Sequence, residues 1–248
     1  MKNISSPFIE IGHWRRFLSS KKVGGESNSQ VDLPQGWKKL FRFAVMFLEK
    51  AGISSDRWIM GGGTVLMFHY MHRLSKDIDI FFNDPQLLTF LTPRLNDLVA
   101  TYVSDYDEQS NFLKLRFSDG EIDYIVAPNL TGLEPVVMKV DDVSVRTDMP
   151  EEIVIKKIYY RTESLKIRDI IDIASVVKYR EESLRHYMVI CSGKLDILKR
   201  RIELIKPHFK EGLTYLYIID KNLAESAIDI VEEFLHKLIS NLKPPVAD

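Results

Sequence analysis

The stretch that most constrains how this chain can fold is residues 58–82. An apolar run, Trp58-Ile59-Met60, leads into three glycines, Gly61, Gly62 and Gly63, and Thr64 then opens a segment over 65–70 that reads as helix. A turn through 72–76 follows, and Asp77-Ile78-Asp79-Ile80 reads as strand. Side chains alternate between the faces of a strand, so Asp77 and Asp79 share one face while Ile78, Ile80 and Phe82 take the core face. Strand, glycine turn, helix and strand in this order is the beginning of a layered α/β domain.

Two carboxylates roughly 7 Å apart along one strand face repel each other at neutral pH. A divalent cation between them removes the repulsion, and oxygen ligands of this kind suit Mg²⁺. The glycine turn supplies the complementary half. Free backbone N–H groups and the positive end of a helix dipole make an anion site, and a residue without Cβ lets a phosphate approach the backbone. A glycine cluster alone is commonly only a turn, and Asp-x-Asp alone is commonly an exposed strand face. Their ordered conjunction points instead to a nucleoside triphosphate held with its metal.

The same residues resemble the nucleotidyltransferase superfamily, whose pattern is a small or hydrophobic residue, Gly-Gly or Gly-Ser, a gap, and then Asp-x-Asp. Within it, GGT-x-L followed by HR-x-S-x-D-I-D-I-F is similar to the AbiEii-type toxins of type IV toxin–antitoxin systems. The matching positions are Gly62, Gly63, Thr64, Leu66, His72, Arg73, Ser75, Asp77, Asp79 and Phe81. The resemblance implies transfer of a nucleoside monophosphate from an NTP to an acceptor hydroxyl, on RNA such as tRNA or on protein. It further implies an antitoxin partner. One or two Mg²⁺ ions would sit at Asp77 and Asp79, and Gly62, Gly63, Thr64, Arg73 and Ser75 would lie at the nucleotide.

Elsewhere the chain reads as an ordinary globular protein. Residues 37–50 place apolar side chains at the spacing of a buried helix face. A helix begins near Pro85 and runs towards residue 99, with Pro93 as a break. Residues 112–117 and 121–126 flank Ser118-Asp119-Gly120, a hairpin signal. In its second strand Asp123 points opposite to Ile122 and Tyr124. By the resemblance Asp123 is the third metal carboxylate; otherwise it pairs with Lys114 or Arg116 across the hairpin. Two more short strands surround Asp141-Asp142, and Pro150-Glu151-Glu152 starts a run that is helical to the end.

In that run, Lys157 best matches the family's later lysine, with Lys156 the alternative one residue away. Such a lysine would act as a point charge on the triphosphate, and Arg161 lies four residues on along the same face. Asp169 and Asp172 share a helix face. By the resemblance Asp169 would orient the lysine or help activate the acceptor; the local alternative is a pair with Lys166, or Arg168 with Asp172. His69 and His72 are spaced for a metal but lack a third ligand. Lys199-Arg200-Arg201 with Lys206 and Lys210 make either a solvated face or a surface for a polyanion.

The expected fold is therefore α/β (α+β), a mixed sheet flanked by helices and followed by a helical domain. Its parts would be an appendage over 1–36, the nucleotidyltransferase core over 37–148 and the helical domain over 149–248. A net charge of −1 excludes a generally basic nucleic-acid coat. The single cysteine, Cys191, excludes an internal disulfide and fits a reducing cytoplasm. No apolar run reaches the roughly 18 residues of a membrane span. The rival to an enzyme is a catalytically inactive module of the same fold that senses nucleotides or binds a partner.

Overall fold

The structure is a computed structural model that describes residues 36–242. The appendage expected over 1–36, with a short helix at 8–18 and a flexible stretch at 21–30, lies outside the described residues but for Gly36. Two compact units share the chain in interleaved segments. One comprises the described part of Met1–Met60 with Lys76–Ala127 and Pro135–Thr147. The other comprises Gly61–Ser75, Pro128–Glu134 and the described part of Asp148–Asp248.

The first unit is built on helix α1 (Gly36–Lys50) and a seven-stranded sheet. Leu40, Phe41, Ala44, Val45, Phe47 and Leu48 form the buried stripe of α1, the three-and-four spacing that one helix face requires. The strands are β1 (Ile59–Gly61), β2 (Ile78–Phe82), β3 (Asp105–Gln109), β4 (Phe112–Phe117), β5 (Gly120–Val126), β6 (Val136–Val140) and β7 (Val143–Thr147). Their order is β3-β4-β5-β2-β1-β7-β6. Pairing is mixed: β2 lies parallel to β5 and β1 parallel to β7, while β3-β4, β4-β5 and β6-β7 are antiparallel. Ile78, Ile80 and Phe82 are buried and Asp79 half-buried, as the alternation of β2 requires. Phe82 stacks on Tyr124 of β5 with ring centroids 5.9 Å apart. The Tyr124 hydroxyl, fully buried, donates to the Ala44 carbonyl of α1 at 3.2 Å, so the core joins helix and sheet through one satisfied phenol.

Between β2 and β3 the helix expected from Pro85 towards residue 99 is broken, as expected around Pro93, into two short ones, α3 (Gln86–Thr89) and α4 (Asp97–Tyr102). Pro93 lies in the gap, and Asn96 Oδ1 accepts from Val99 N at 3.1 Å to start the second helix afresh. Strand β3 has no counterpart in the sequence reading. Its Asp-Tyr-Asp-Glu-Gln is half-buried at most and owes its conformation to pairing with β4.

The second unit is helical. It holds α2 (Gly62–Tyr70), α5 (Pro150–Arg161), α6 (Ile167–Tyr187), α7 (Leu195–Ile205), α8 (Phe209–Leu213) and α9 (Lys221–Leu242). Helix α2 starts three residues earlier than the segment over 65–70 that the sequence reading gave it. Helix α6 packs along α9, burying Ile170, Ile173, Ala174 and Val177 on one side and Ala224, Ala227, Ile228 and Val231 on the other. Its regular path breaks at Arg180, with φ −144° and ψ 35°. No helix among the described residues is long and apolar enough to cross a membrane.

Candidate functional site

The predicted site residues fall into two groups, one in each unit. In the sheet unit, Asp79 and Asp123 are direct register partners on the parallel strands β2 and β5, so their side chains leave the same face of adjacent strands about 4.8 Å apart. Asp123 is further framed by the hairpin. Lys114 sits opposite it on β4 and places its ammonium 2.9 Å from Asp123 Oδ2 and 2.6 Å from Glu121 Oε2. Of the two readings of Asp123, the pairing with Lys114 across the hairpin is present. One oxygen is paired across the hairpin, and the other, Oδ1, is buried with no hydrogen-bond partner. Burial, then the charge of Asp79, pushes the Asp123 carboxyl up to about 6, against the pull of Lys114. Asp77 stands just before β2, and its Oδ1 accepts from Glu121 N at 3.2 Å.

This set fits a hard divalent cation in chemistry. All donors are carboxylate oxygens, and an orphaned buried oxygen beside a second carboxylate is a site that costs free energy until a cation or proton arrives. Among the described residues no three such side chains already stand in ligating geometry. The carboxylates that the sheet sets side by side are Asp79 and Asp123.

In the helical unit the second group forms around Asp172, which is fully buried. Arg73 grips it with two bonds, Nε to Oδ1 at 2.7 Å and Nη2 to Oδ2 at 2.8 Å. His72 Nε2 lies 2.7 Å from Oδ1, and Lys157 Nζ lies 3.1 Å from Oδ2. Lys157 also donates to Asp169 Oδ1 at 2.8 Å, and Arg161 Nη2 lies 3.1 Å from Asp169 Oδ2. That second oxygen accepts the Lys166 backbone N–H at 2.9 Å, so Asp169 tethers the start of α6 while touching both cations.

The charges hold one another in place. Burial raises the Asp172 carboxyl, but Arg73, Lys157 and His72 outweigh it and keep it well below the usual carboxylate range. Asp169 is likewise held low by Lys157 and Arg161 in spite of burial. Burial works against the Lys157 ammonium too, yet Asp172 and Asp169 hold it above its ordinary value. His72 is lowered by its burial, which Asp172 only partly offsets.

Gly63 belongs to this group in an unexpected way. A Cβ there would stand 2.5 Å from Arg73 Nη2 and 3.0 Å from Ser75 Oγ. The room that the missing side chain leaves is filled by Arg73 and Ser75, where the sequence reading gave it to a phosphate. Gly62, Gly63 and Thr64 form the buried first turn of α2, and Ser75 is buried beside them with its N–H on Met67 Sδ at 3.3 Å. The structure thus gathers Gly63, Arg73, Ser75, Lys157 and Asp169. It adds His72 and Asp172, whose central part the spacing of residues did not reveal.

The two lysines of α5 diverge. Lys156 Nζ lies 2.8 Å from Asp148 Oδ2 and 3.3 Å from Glu152 Oε1, whereas Lys157 joins the Asp169–Asp172 network. Glu152 in turn accepts the backbone N–H groups of Leu130 and Thr131 at 2.9 and 2.8 Å, which pins that loop to α5. His69 and His72 do not converge on a shared ligand position. His72 is committed to Asp172, and His69 is driven down to about 4 by burial, then by the Arg180 charge.

Comparison with known proteins agrees with the motif. Residues 47–207 match the family described as nucleotidyl transferase AbiEii toxin, type IV TA system. Among curated proteins none matches. Among solved structures, a presumed nucleotidyltransferase from H. pylori is similar with a TM-score of 0.45 and 17% identity, covering 84% of this chain and 97% of the other. An antigenic nucleotidyltransferase-like protein from Paracoccidioides brasiliensis gives a TM-score of 0.40 and 15% identity, covering 71% and 93%.

Proposed function

Because the chain belongs to the AbiEii nucleotidyl transferase toxin family, we propose that it moves a nucleoside monophosphate from an NTP to an acceptor hydroxyl and releases pyrophosphate. RNA such as tRNA is the acceptor this reading favours, with a protein hydroxyl as the other. The family also argues for an antitoxin as the protein partner.

The observation that carries the reading is the Asp79–Asp123 pair with its orphaned Asp123 Oδ1. Asp79 and Asp123, with Asp77, would hold one or two Mg²⁺ ions, which when bound supply charge neutralisation at the attacking and leaving oxygens. Lys114 keeps Asp123 Oδ2 occupied and so presents Oδ1 as the free donor atom. In the helical unit, three cations, Arg73, Lys157 and Arg161, face the two carboxylates Asp169 and Asp172. The surplus positive charge favours a polyanion such as a triphosphate. Lys157 is its point charge and Asp169 the group that aims it. Gly62, Thr64 and Ser75 would position the phosphates through the first turn of α2, with Gly63 leaving the room in which Arg73 and Ser75 close on that turn. Catalysis of this kind is mostly positioning and charge.

One observation favours the rival, a nucleotide-sensing or partner-binding module without turnover. Arg73 and Lys157 already have carboxylate partners, as a purely structural network would. Incubation with Mg²⁺, each labelled NTP in turn and total RNA separates the two. The transferase reading expects pyrophosphate release and label in RNA, both abolished in Asp79→Asn. Label in protein would move the acceptor, and release persisting at the wild-type rate in Asp79→Asn would sink the carboxylate assignment.

A further inference from the structure

The sequence left the basic stretch around residue 200 between a solvated face and a polyanion surface. In the helical unit that stretch borders a cavity of about 530 Å³ formed by the start of α6, the end of α7 and the turns around α8. Four of its lining residues are Lys166, Arg168, Arg201 and His208, and no acidic side chain is among them. Two more, Tyr215 and Leu204, are 80% and 67% exposed, so their apolar faces are open to a ligand.

The wall is built firmly. Arg201 donates both Nε and Nη2 to the Leu165 carbonyl, at 2.9 and 2.7 Å. A backbone carbonyl fixes the guanidinium without neutralising it, as a carboxylate would. A Cβ at Gly212 would run into Ile167 Cδ1, so glycine allows the α8 segment to close on α6 and shape the floor. The volume is in the range of a small-molecule site. An exposed aromatic face and an apolar neighbour in a cavity also lined by Lys166, Arg168 and Arg201 match one ligand chemistry well, a planar base carrying a phosphate.

We propose that this cavity binds one nucleoside phosphate, its base against Tyr215 and Leu204 and its phosphate among Lys166, Arg168, Arg201 and His208. Its source is the end of a single-stranded RNA or a free nucleotide. Use of the cavity to hold an acceptor rests on the transferase reading; binding itself does not. The cavity adjoins the Lys157 network through one group, since Asp169 bonds both the Lys166 N–H and the Lys157 ammonium. A nucleotide seated there would lie against the same end of α6 that aims the lysine.

The test uses the full chain and fluorescence anisotropy of a labelled single-stranded RNA of about eight nucleotides at fixed ionic strength. Tyr215→Ala, at a position exposed enough to leave folding alone, should weaken binding about tenfold with an unchanged salt slope. Arg168→Gln should weaken it and flatten the salt dependence. Displacement of the strand by AMP assigns the cavity to nucleotides from either source. Strand binding that is sensitive to Tyr215 but indifferent to AMP assigns it to strand ends. Wild-type affinity in both variants, or displacement by polyglutamate as effective as by unlabelled RNA, overturns the proposal. A chain that binds the strand through Tyr215 yet releases no pyrophosphate refutes the transferase reading alone. Turnover on RNA with binding unaltered in both variants refutes the cavity alone.

Discussion

Three side chains of the helical unit, His72, Arg73 and Lys157, converge on the carboxylate of Asp172. It is fully buried and is satisfied by His72, Arg73 and Lys157 together. Removing one member of a buried ion network leaves the others desolvated and unmatched, which costs more than the intact network contributes. Asp172→Asn should therefore destabilise the protein by about 3–5 kcal/mol, read as a lowered urea midpoint with an unchanged slope. A loss below about 1 kcal/mol, the scale of a surface pair, would show that the network matters little to folding. The sequence reading saw Asp172 only as a local partner for Arg168, because helical spacing reports neighbours three and four residues away. Its actual partners, Arg73 and His72, are 99 and 100 residues distant. Lys157 was legible as a helical lysine, but not as a buried one. Its loss would leave Asp169 and Asp172 facing one another without their shared ammonium.

At the scale of elements, the hairpin β4-β5 and its parallel neighbour β2 decide the state of the carboxylate face. These strands were readable because each alternates apolar and polar residues and a Ser-Asp-Gly turn joins two of them. β3 was not, for its sequence carries no alternation and its pairing partner alone makes it a strand. The register that sets Asp79 beside Asp123 also lay beyond the sequence, since a one-residue slip would have turned either side chain to the core. That register has a measurable cost. In the metal-free protein, Asp123→Asn removes the like charge beside Asp79 and leaves Lys114 its bond to Glu121. Stability at pH 7 should rise by about 1–3 kcal/mol, while any rise in melting temperature on adding Mg²⁺ with NTP should vanish. Differential scanning calorimetry with and without metal checks both, and a fall in metal-free stability would remove the repulsion from the account.

For the molecule as a whole, pH should act mainly through groups that burial has shifted. His69 falls from its ordinary value to about 4 when folded, and His72 falls as well. Between about 6.5 and 4 the unfolded chain binds protons that the folded one refuses, so stability is complete above 6.5 and drops as pH falls through that window. For His69 the loss amounts to at most about 3 kcal/mol. Asp148, raised to about 6 by burial in spite of Lys156, works with the opposite sign between its ordinary value and 6. Urea midpoints measured from pH 7 to pH 4 should thus fall less steeply in His69→Gln and more steeply in Asp148→Asn. Identical slopes in all three proteins would place the acid sensitivity elsewhere. The interleaving of the two units has its own consequence during synthesis. Arg73 precedes Asp172 by 99 residues, so at roughly 5–20 residues per second it leaves the ribosome on the order of 5–20 s before its counter-charge has been made. Until then Gly61–Ser75 has no helical unit to join. A nascent chain released early would carry the glycine turn and Asp77-x-Asp79 without the lysine and carboxylates that come later, and so, on the proposed reading, without half of the groups the transfer calls on.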